Sequence, residues 1–284
     1  MSDRYIDTPN KFADVGGLSF VYREVGSGSG VPLILLNHFT GVLDDWDPRV
    51  VDGLAVEHRV ITFDNRGVGG SAGETPSSIA EMADDAVAFI RALGFEMVDL
   101  LGFSMGGYVA QTIVQKNPEL VRKLILAGTG PAGGGQSGSQ TSSGGVGQLM
   151  QQVLARAAAE KKHPKNYLFF TQTAKGQAAA DAFLARLQER KVDCVPPASE
   201  RTTAAHVAAL GGWRQGDPSG LAGVKQPTFI ANGDRDAMIP TERSFELLQR
   251  ISNSILSIYP DGGHAGIFQF HEIFLPQALE FLRH

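Results

Sequence analysis

The pentapeptide Gly102-Phe103-Ser104-Met105-Gly106 decides the fold of this chain. It follows an apolar run at 98–101 and precedes 108–114, a stretch typical of a buried helix. A serine between a strand and a helix needs a cramped backbone, so small residues are required two positions before and after it. The pattern G-x-S-x-G is that of a nucleophile elbow, which exposes a serine hydroxyl at the edge of a sheet. A Gly/Ser turn without a chemical role is the alternative, and the surrounding sequence has to decide between the two.

Apolar runs of strand length alternate with amphipathic stretches of helical length on both sides of this motif. The predicted strands are 18–25, 31–36, 59–63, 98–101, 123–127, 228–231 and 255–259, and the predicted helices are 77–93, 105–117, 241–251 and 268–282. Such alternation with short connections is typical of a mostly parallel sheet with helices on both faces. The sequence therefore predicts an α/β fold.

The region from about 131 to 220 interrupts this alternation. It opens with a Gly/Ser-rich segment at 131–145 and continues with three alanine-rich helical patterns, at 146–160, 177–190 and 199–210. No strand pattern recurs before residue 228. We therefore expect residues 1–131 and 220–284 to form a core domain and residues 132–219 to form a helical cap over the site. The alternative is that these helices only widen the core domain.

The overall composition excludes several classes of function. The chain has 284 residues, 43% of them hydrophobic, and a net charge of −5, which gives no electrostatic reason to expect nucleic acid or an anionic membrane as partner. Cys194 is the only cysteine, so no disulfide can form within the chain. Neither a signal peptide nor a membrane span is evident, so a cytoplasmic protein is expected. A homo-oligomer stays open.

Two loops after the last predicted strands carry groups that could activate a serine. A serine hydroxyl becomes nucleophilic when a base takes its proton and a third group holds that base. Asp234 and Asp236 follow one strand, and His264 follows the next in a loop flanked by glycines. Because the carboxyl ends of parallel strands share one edge of a sheet, these loops should meet near Ser104. We predict that Ser104 is the nucleophile, His264 the base and Asp236 the acid. Asp234 is the alternative acid, and we expect it to brace the turn instead.

The other titratable residues and glycine-rich segments indicate no cofactor. The remaining histidines are interpreted as surface or core residues: His38, His58, His163, His206, His271 and His284. No group of His, Cys and carboxylates has metal-ligand spacing, so we expect no metal. The glycine-rich loop at 64–71 lacks the Lys-Ser/Thr of a P-loop, and no full dinucleotide signature is present. We interpret that loop as a brace of the site.

Taken together, these motifs resemble the α/β-hydrolase family, and within it the cofactor-free, haloperoxidase-like serine esterases with a helical cap. The resemblance covers nearly the whole chain and is weakest in the cap. It includes the order Ser, Asp, His, the loop at 64–71, which is similar to the family's D-x-R-G-x-G-x-S, and the helix end and strand at 117–126. It implies a triad of Ser104, Asp236 and His264. A serine in the elbow argues against the dehalogenase relatives, which use an aspartate there.

The resemblance also implies an oxyanion hole formed by the backbone N–H groups of Met105 and Phe39. Met105 follows the nucleophile, and Phe39 takes the donor position when Trp46 is matched to the family's tryptophan in this loop. This chain has His38 where the family usually has a glycine. We expect His38 to point away and brace Asp64 or a nearby turn; the alternatives are that it narrows the pocket or donates a hydrogen bond to substrate.

The expected reaction is carboxylesterase-like hydrolysis of an ester, lactone or related acyl bond in a small molecule. Three other functions stay open on the same residues: peroxide attack on an acyl-enzyme to give a halide-oxidising peracid, C–C bond hydrolysis, and binding of a small molecule without turnover. The substrate pocket is expected to include His38, Phe39, Met105 and Trp213. Apolar side chains in the cap favour an apolar acyl or alcohol group, unless they serve only to pack the cap against the core.

Overall fold

In the computed structural model, which describes residues 4–134 and 145–284, eight strands form one sheet. The strands are β1 (Lys11–Val15), β2 (Leu18–Val25), β3 (Leu33–Leu36), β4 (Val60–Phe63), β5 (Val98–Phe103), β6 (Val121–Ala127), β7 (Thr228–Gly233) and β8 (Ser254–Tyr259). Their order across the sheet is β1-β2-β4-β3-β5-β6-β7-β8. The pairs β1–β2 and β2–β4 are antiparallel and all later pairs are parallel. The predicted α/β fold with a mostly parallel sheet is confirmed.

Helices cover both faces of this sheet. They are α1 (Pro48–Ala55), α2 (Ile79–Ala92), α3 (Met105–Lys116), α4 (Gly145–Glu160), α5 (Lys165–Leu168), α6 (Ala174–Leu187), α7 (Glu200–Gln215), α8 (Glu242–Arg250), α9 (Gly266–Gln269) and α10 (His271–Arg283). Side chains of β3 alternate between the faces: Ile34 and Leu36 pack with α2 and α3, whereas Leu33 and Leu35 pack with α1 and α10. All four residues of β3 are buried, which explains their continuous apolar run.

Three of the differences from the prediction have a local reason. Strand β1 was not predicted; it is short and lies at the sheet edge, where Phe12 is exposed. Helix α1 was not predicted either, although Asp47 accepts a hydrogen bond from the Arg49 N–H and Pro48 follows, which is a start signal. The helix predicted at 268–282 is present mostly as α10, but the backbone leaves helical geometry at Phe270, so its first residues belong to the separate helix α9.

The segment between β6 and β7 contributes helices α4–α7 and no strand among its described residues. Helix α6 lies against α1 and α9, and α7 lies against α2. Arg186 of α6 donates a hydrogen bond of 2.6 Å to the fully buried Asp47 carboxylate, which attaches this insert to the core. Most of the predicted Gly/Ser hinge, residues 135–144, lies outside the described residues. The division into a core domain and a cap stays a prediction.

Candidate active site

The strand, turn and helix required by the G-x-S-x-G motif are present. Strand β5 ends at Phe103, helix α3 begins at Met105, and Ser104 between them has φ 55° and ψ −118°, a conformation rare for a residue with a side chain. A Cβ at Gly102 would lie 2.5 Å from the Gly106 carbonyl oxygen, so glycine is required for this close approach. The serine is therefore held at a strained turn, as an elbow demands.

Neighbouring strand β6 fixes the backbone of this turn. The Ser104 N–H donates to the Ala127 carbonyl at 2.9 Å, and the Thr129 hydroxyl donates to the Ser104 carbonyl at 2.9 Å. The side-chain hydroxyl of Ser104 makes no hydrogen bond to any residue within 4–134 or 145–284. It is thus available to react while its backbone is held.

Asp236 and His264 form a buried pair at the same end of the sheet. His264 Nδ1 lies 2.8 Å from Asp236 Oδ2, and both residues are more than nine-tenths buried. The other oxygen, Asp236 Oδ1, accepts the backbone N–H groups of Met238 and Ile239 at 2.8 and 2.9 Å. A carboxylate with only donors around it stays an acceptor, so His264 carries its hydrogen on Nδ1. This leaves a lone pair on Nε2, which can accept a proton.

The other carboxylate of this loop, Asp234, does not reach His264 in the structure. Asp234 is exposed, and its Oδ1 accepts the Gly262 N–H at 3.2 Å, across the loops that follow β7 and β8. This contact braces the turn. Another competing histidine, His271, lies at the start of α10 with Nδ1 bonded to the Phe268 carbonyl at 3.1 Å.

His264 lies beside the residues that flank Ser104. Its ring centroid is 5.1 Å from that of Phe103, and a Cβ at Gly128 would lie 3.4 Å from its Cε1 atom. Gly128 directly follows Ala127, the residue bonded to the Ser104 N–H. Among the described residues, no hydrogen bond joins the Ser104 hydroxyl to His264. Such bonds are often long without substrate and shorten when it binds.

The loop after β3 contacts the start of α3. A Cβ at Gly106 would collide with the Leu36 carbonyl oxygen and lie 2.8 Å from that of Asn37, so the two backbones are in direct contact. The backbone N–H groups of Phe39 and Met105 make no hydrogen bond within the part of the chain that the structure describes. Met105 also occupies the first turn of α3, where the helix dipole favours negative charge. Among the described residues, both N–H groups are therefore without a hydrogen-bond partner, and their role as an oxyanion hole stays a prediction.

His38 is buried and bonded within its own loop. Its Nδ1 donates to the Phe39 carbonyl at 2.8 Å, and its ring meets Phe169 edge-on at 5.3 Å. The Asp64 carboxylate instead accepts the Leu43 and Gly70 N–H groups. Of the two expected contacts, Asp64 or a nearby turn, His38 makes the second. Burial, with a contribution from nearby Lys165, lowers the pKa of His38 to about 4.

Sequence reasoning missed the contact made by His206. This residue of α7 is fully buried, and its Nδ1 accepts the Thr40 N–H at 3.0 Å. The signal was a stripe at helical spacing, in which polar Thr202 and His206 share a face with Ala209. Burial lowers the pKa of His206 to about 4, so the ring is neutral near pH 7.

The buried neutral histidines make stability depend on pH. A histidine in the unfolded chain has a pKa of ~6.5, so between about pH 6.5 and 4 the unfolded chain binds more protons at position 206 than the native one. The contribution of His206 to the free energy of unfolding is therefore complete above this pH range. On acidification it is lost, by up to ~1.4 kcal/mol per pH unit. We expect His206→Asn to remove this dependence.

The measurement is urea unfolding of both proteins at several pH values. The wild-type minus His206→Asn difference in unfolding free energy should fall from pH 7 to 4.5. A difference is used because burial raises the pKa of Asp64 to about 7, which acts in the opposite direction in both proteins. A difference that is flat with pH would contradict the prediction.

Trp213 lies apart from this constellation. It stacks on Tyr108 of α3 with ring centroids 4.8 Å apart. It also lines a cavity of about 360 Å³ together with Ile79, Gln111 and Leu221, and the described lining includes neither Ser104 nor His264. A role for Trp213 in the substrate pocket stays a prediction.

Within residues 4–134 and 145–284, no three His, Cys, Asp or Glu side chains are grouped as a metal site would need. None of the helices there has both the length and the apolar character needed to cross a bilayer.

Comparisons with known proteins agree with this architecture. The model of a family described as alpha/beta hydrolase fold matches residues 31–270. A Rhizobium rhizogenes protein named for carbamate hydrolysis, RutD, is 27% identical over 88% of this chain and 92% of its own. A Synechocystis protein named for non-heme chloroperoxidase activity is 26% identical over 94% and 95%. An alpha/beta hydrolase fold protein from Chitinophaga pinensis has a solved structure with 36% identity, 98% coverage of both chains and a TM-score of 0.88.

The family match spans most of the chain, and the relatives named for chloroperoxidase activity agree with the haloperoxidase-like resemblance of its motifs. The chain belongs to the alpha/beta hydrolase fold family.

Proposed function

We propose that this protein is a serine hydrolase that cleaves a carboxylic ester, lactone or related acyl bond of a small molecule. One observation carries the proposal: the buried Asp236–His264 pair, joined at 2.8 Å, lies beside Phe103, the residue before Ser104 at the strained turn. A base held by a carboxylate next to a serine hydroxyl is the arrangement that activates a serine.

In the first half of the reaction, Ser104 Oγ forms a bond to the carbonyl carbon while His264 Nε2 takes the hydroxyl proton. The carbonyl oxygen becomes an anion and accepts hydrogen bonds from the Phe39 and Met105 N–H groups. Asp236 stabilises the imidazolium through Nδ1–H. His264 then gives the proton to the leaving alcohol, the C–O bond to it breaks, and an acyl-enzyme remains on Ser104.

In the second half, water takes the place of the alcohol. His264 Nε2 removes a proton from water as its oxygen bonds to the acyl carbon, and the same two N–H groups hold the oxyanion. The bond to Ser104 breaks, the proton returns to Ser104 Oγ, and the carboxylic acid leaves. No further group is needed to balance the steps.

The relative named for chloroperoxidase activity favours a second candidate, in which hydrogen peroxide replaces water as the attacking molecule. The acyl-enzyme would then release a peracid, which oxidises halide in solution. Halide oxidation that requires both peroxide and added acetate would support this candidate over plain hydrolysis. The relatives named for carbamate hydrolysis place carbamates among the acyl substrates to be compared.

We also propose residues 132–219 as a cap over this site. Two contacts from the insert support it: the Phe169 carbonyl accepts the N–H of Ala265, next to His264, at 2.9 Å, and His206 accepts the Thr40 N–H. The insert thus contacts the loop after β8, which carries His264, and the loop after β3, which carries Phe39 and is called the oxyanion loop below.

Labelling with a fluorophosphonate tests the proposed nucleophile directly. The reagent phosphonylates a serine only where a base and an oxyanion hole act together, so we expect one label per native chain, mapped by mass spectrometry to Ser104. Urea-unfolded protein, the control, should stay unlabelled. A native protein that resists labelling, or carries the label on another residue, would contradict the proposal.

A further inference from the structure

The peptide group that joins Phe39 to Thr40 is held by hydrogen bonds at both of its ends. Its carbonyl oxygen accepts from His38 Nδ1 at 2.8 Å and from the Thr40 hydroxyl at 2.7 Å. Its N–H donates to His206 Nδ1 at 3.0 Å. We call this arrangement, made by His38, Thr40 and His206, the peptide clamp.

The clamp requires a different tautomer of each histidine. A carbonyl can only accept, so His38 carries its hydrogen on Nδ1; an amide N–H can only donate, so His206 Nδ1 is bare and its hydrogen is on Nε2. Both rings are buried, His206 completely, and burial favours their neutral forms. The acceptor on His206 is therefore maintained at neutral pH.

The clamped peptide lies where the backbone is strained. Thr40 has φ 55°, a left-handed conformation that costs a β-branched residue roughly 1–3 kcal/mol. Such a conformation persists only where surrounding contacts hold it. Phe39 shares its Cα with both the clamped peptide and the preceding one, which carries the Phe39 N–H. The preceding peptide is held at its other end, where the His38 carbonyl accepts the Gly41 N–H at 2.9 Å. The Phe39 N–H itself has no partner among the described residues, so this bond and the clamp together set its direction.

The hydrogen-bond acceptor for Thr40 comes from the inserted helices and not from the sheet. His206 lies one turn after Thr202 on the buried face of α7, and the Thr202 hydroxyl donates to the Gly67 carbonyl at 3.0 Å. Helix α7 is thus attached to the loops that follow two parallel strands, β3 and β4. The peptide clamp has its third hydrogen bond only where α7 is in this position.

We propose that His206 is a positioning residue for the oxyanion hole: from α7 it holds the peptide after Phe39 and so directs the Phe39 N–H toward the substrate carbonyl oxygen. This rests on the proposed hydrolase function. It assigns the inserted helices a part in transition-state stabilisation in addition to covering the site.

Two nearly isosteric substitutions test this role. His206→Asn can place an amide oxygen near the position of Nδ1, whereas His206→Leu has the same size without an acceptor. Removing one oxyanion donor outright costs ~10²–10³ in kcat, so a misdirected donor should cost ~10–100-fold. We expect that loss in kcat for p-nitrophenyl butyrate in His206→Leu, with KM changed by less than about threefold. His206→Asn should retain kcat within about fivefold.

Thr203→Val is the control in the same helix, one residue after Thr202. It removes a hydrogen bond to the Ser199 carbonyl at the start of α7 and leaves the bonds that attach α7 to the core in place, so kcat should stay within about threefold of wild type. Amide hydrogen exchange adds a readout that does not need turnover. The Thr40 amide should be protected in wild type and His206→Asn and exchange faster in His206→Leu. The Gly41 amide, bonded to the His38 carbonyl, is the internal reference.

The possible results distinguish whether the clamp exists from whether it affects the reaction. Equal Thr40 protection in His206→Leu and wild type would overturn the clamp. Lost protection with an unchanged kcat, or an equal loss of kcat in Thr203→Val, would overturn the positioning role. A wild-type protein without activity on any acyl substrate would overturn the proposed function and this role with it, while Thr40 exchange would still decide whether the clamp exists.

Discussion

Ser104→Ala is expected to lower kcat/KM for p-nitrophenyl butyrate by about 10⁴–10⁶-fold. Without the hydroxyl there is no oxygen to form the acyl-enzyme, and His264 has no proton to accept from the chain. The remaining rate would come from binding and from the Phe39 and Met105 N–H groups acting on direct attack by water. Steady-state kinetics and loss of fluorophosphonate labelling measure the effect.

Folding of this variant is expected to be unimpaired. The interactions that hold the turn are made by the Ser104 backbone, not by its side chain. Thermal unfolding should therefore differ little from wild type. Ser252→Ala, on an exposed loop, is the control and should leave both kinetics and stability unchanged. A Ser104→Ala protein with wild-type turnover would refute the assignment of the nucleophile.

Asp236→Asn is expected to lower kcat by about 10³–10⁴-fold. The Met238 and Ile239 N–H groups hold one oxygen of residue 236, so in the variant the amide oxygen should stay with these donors. Its NH₂ group would then face His264 Nδ1 and donate to it. That forces the imidazole hydrogen onto Nε2, the atom that must take the Ser104 proton. The variant thus keeps its shape and loses its base.

Asp234→Asn is the matched control, since the same change is made two residues away in the same loop. Asp234 is exposed and accepts only the Gly262 N–H, which the amide oxygen of asparagine can also do. Its kcat should stay within about threefold of wild type. If Asp234→Asn were the more damaging of the two, the assignment of the acid would be wrong.

Much of the fold follows from patterns within a few residues. The buried strands, the amphipathic helix at α2 and the glycines around Ser104 all report on their own local backbone, so they could be read before any contact was known. The errors also lie where local signals are weak. Strand β1 is short and half exposed, and helix α1 has only eight residues, too few for a clear period.

The candidate site divides in the same way. The elbow, the two later loops and their order could be predicted, because parallel strands bring their carboxyl ends to one edge. The hydrogen bonds of His38 and His206 could not be predicted, since the sequence indicates only that each is a surface or core histidine. His38 bonds the peptide next to it, and nothing in its neighbours shows which way its ring turns.

What the sequence determined by itself is the class of fold and the position of a serine elbow, since both depend on strand period, helix period and the steric need for glycine. Tertiary structure showed that Asp236, chosen over Asp234 from the sequence, reaches His264, and it alone decided what supports the oxyanion loop. The first contact joins residues 28 apart and the second joins residues 166 apart. Side-chain direction over such separations is set by packing of whole helices and strands, which no local pattern encodes.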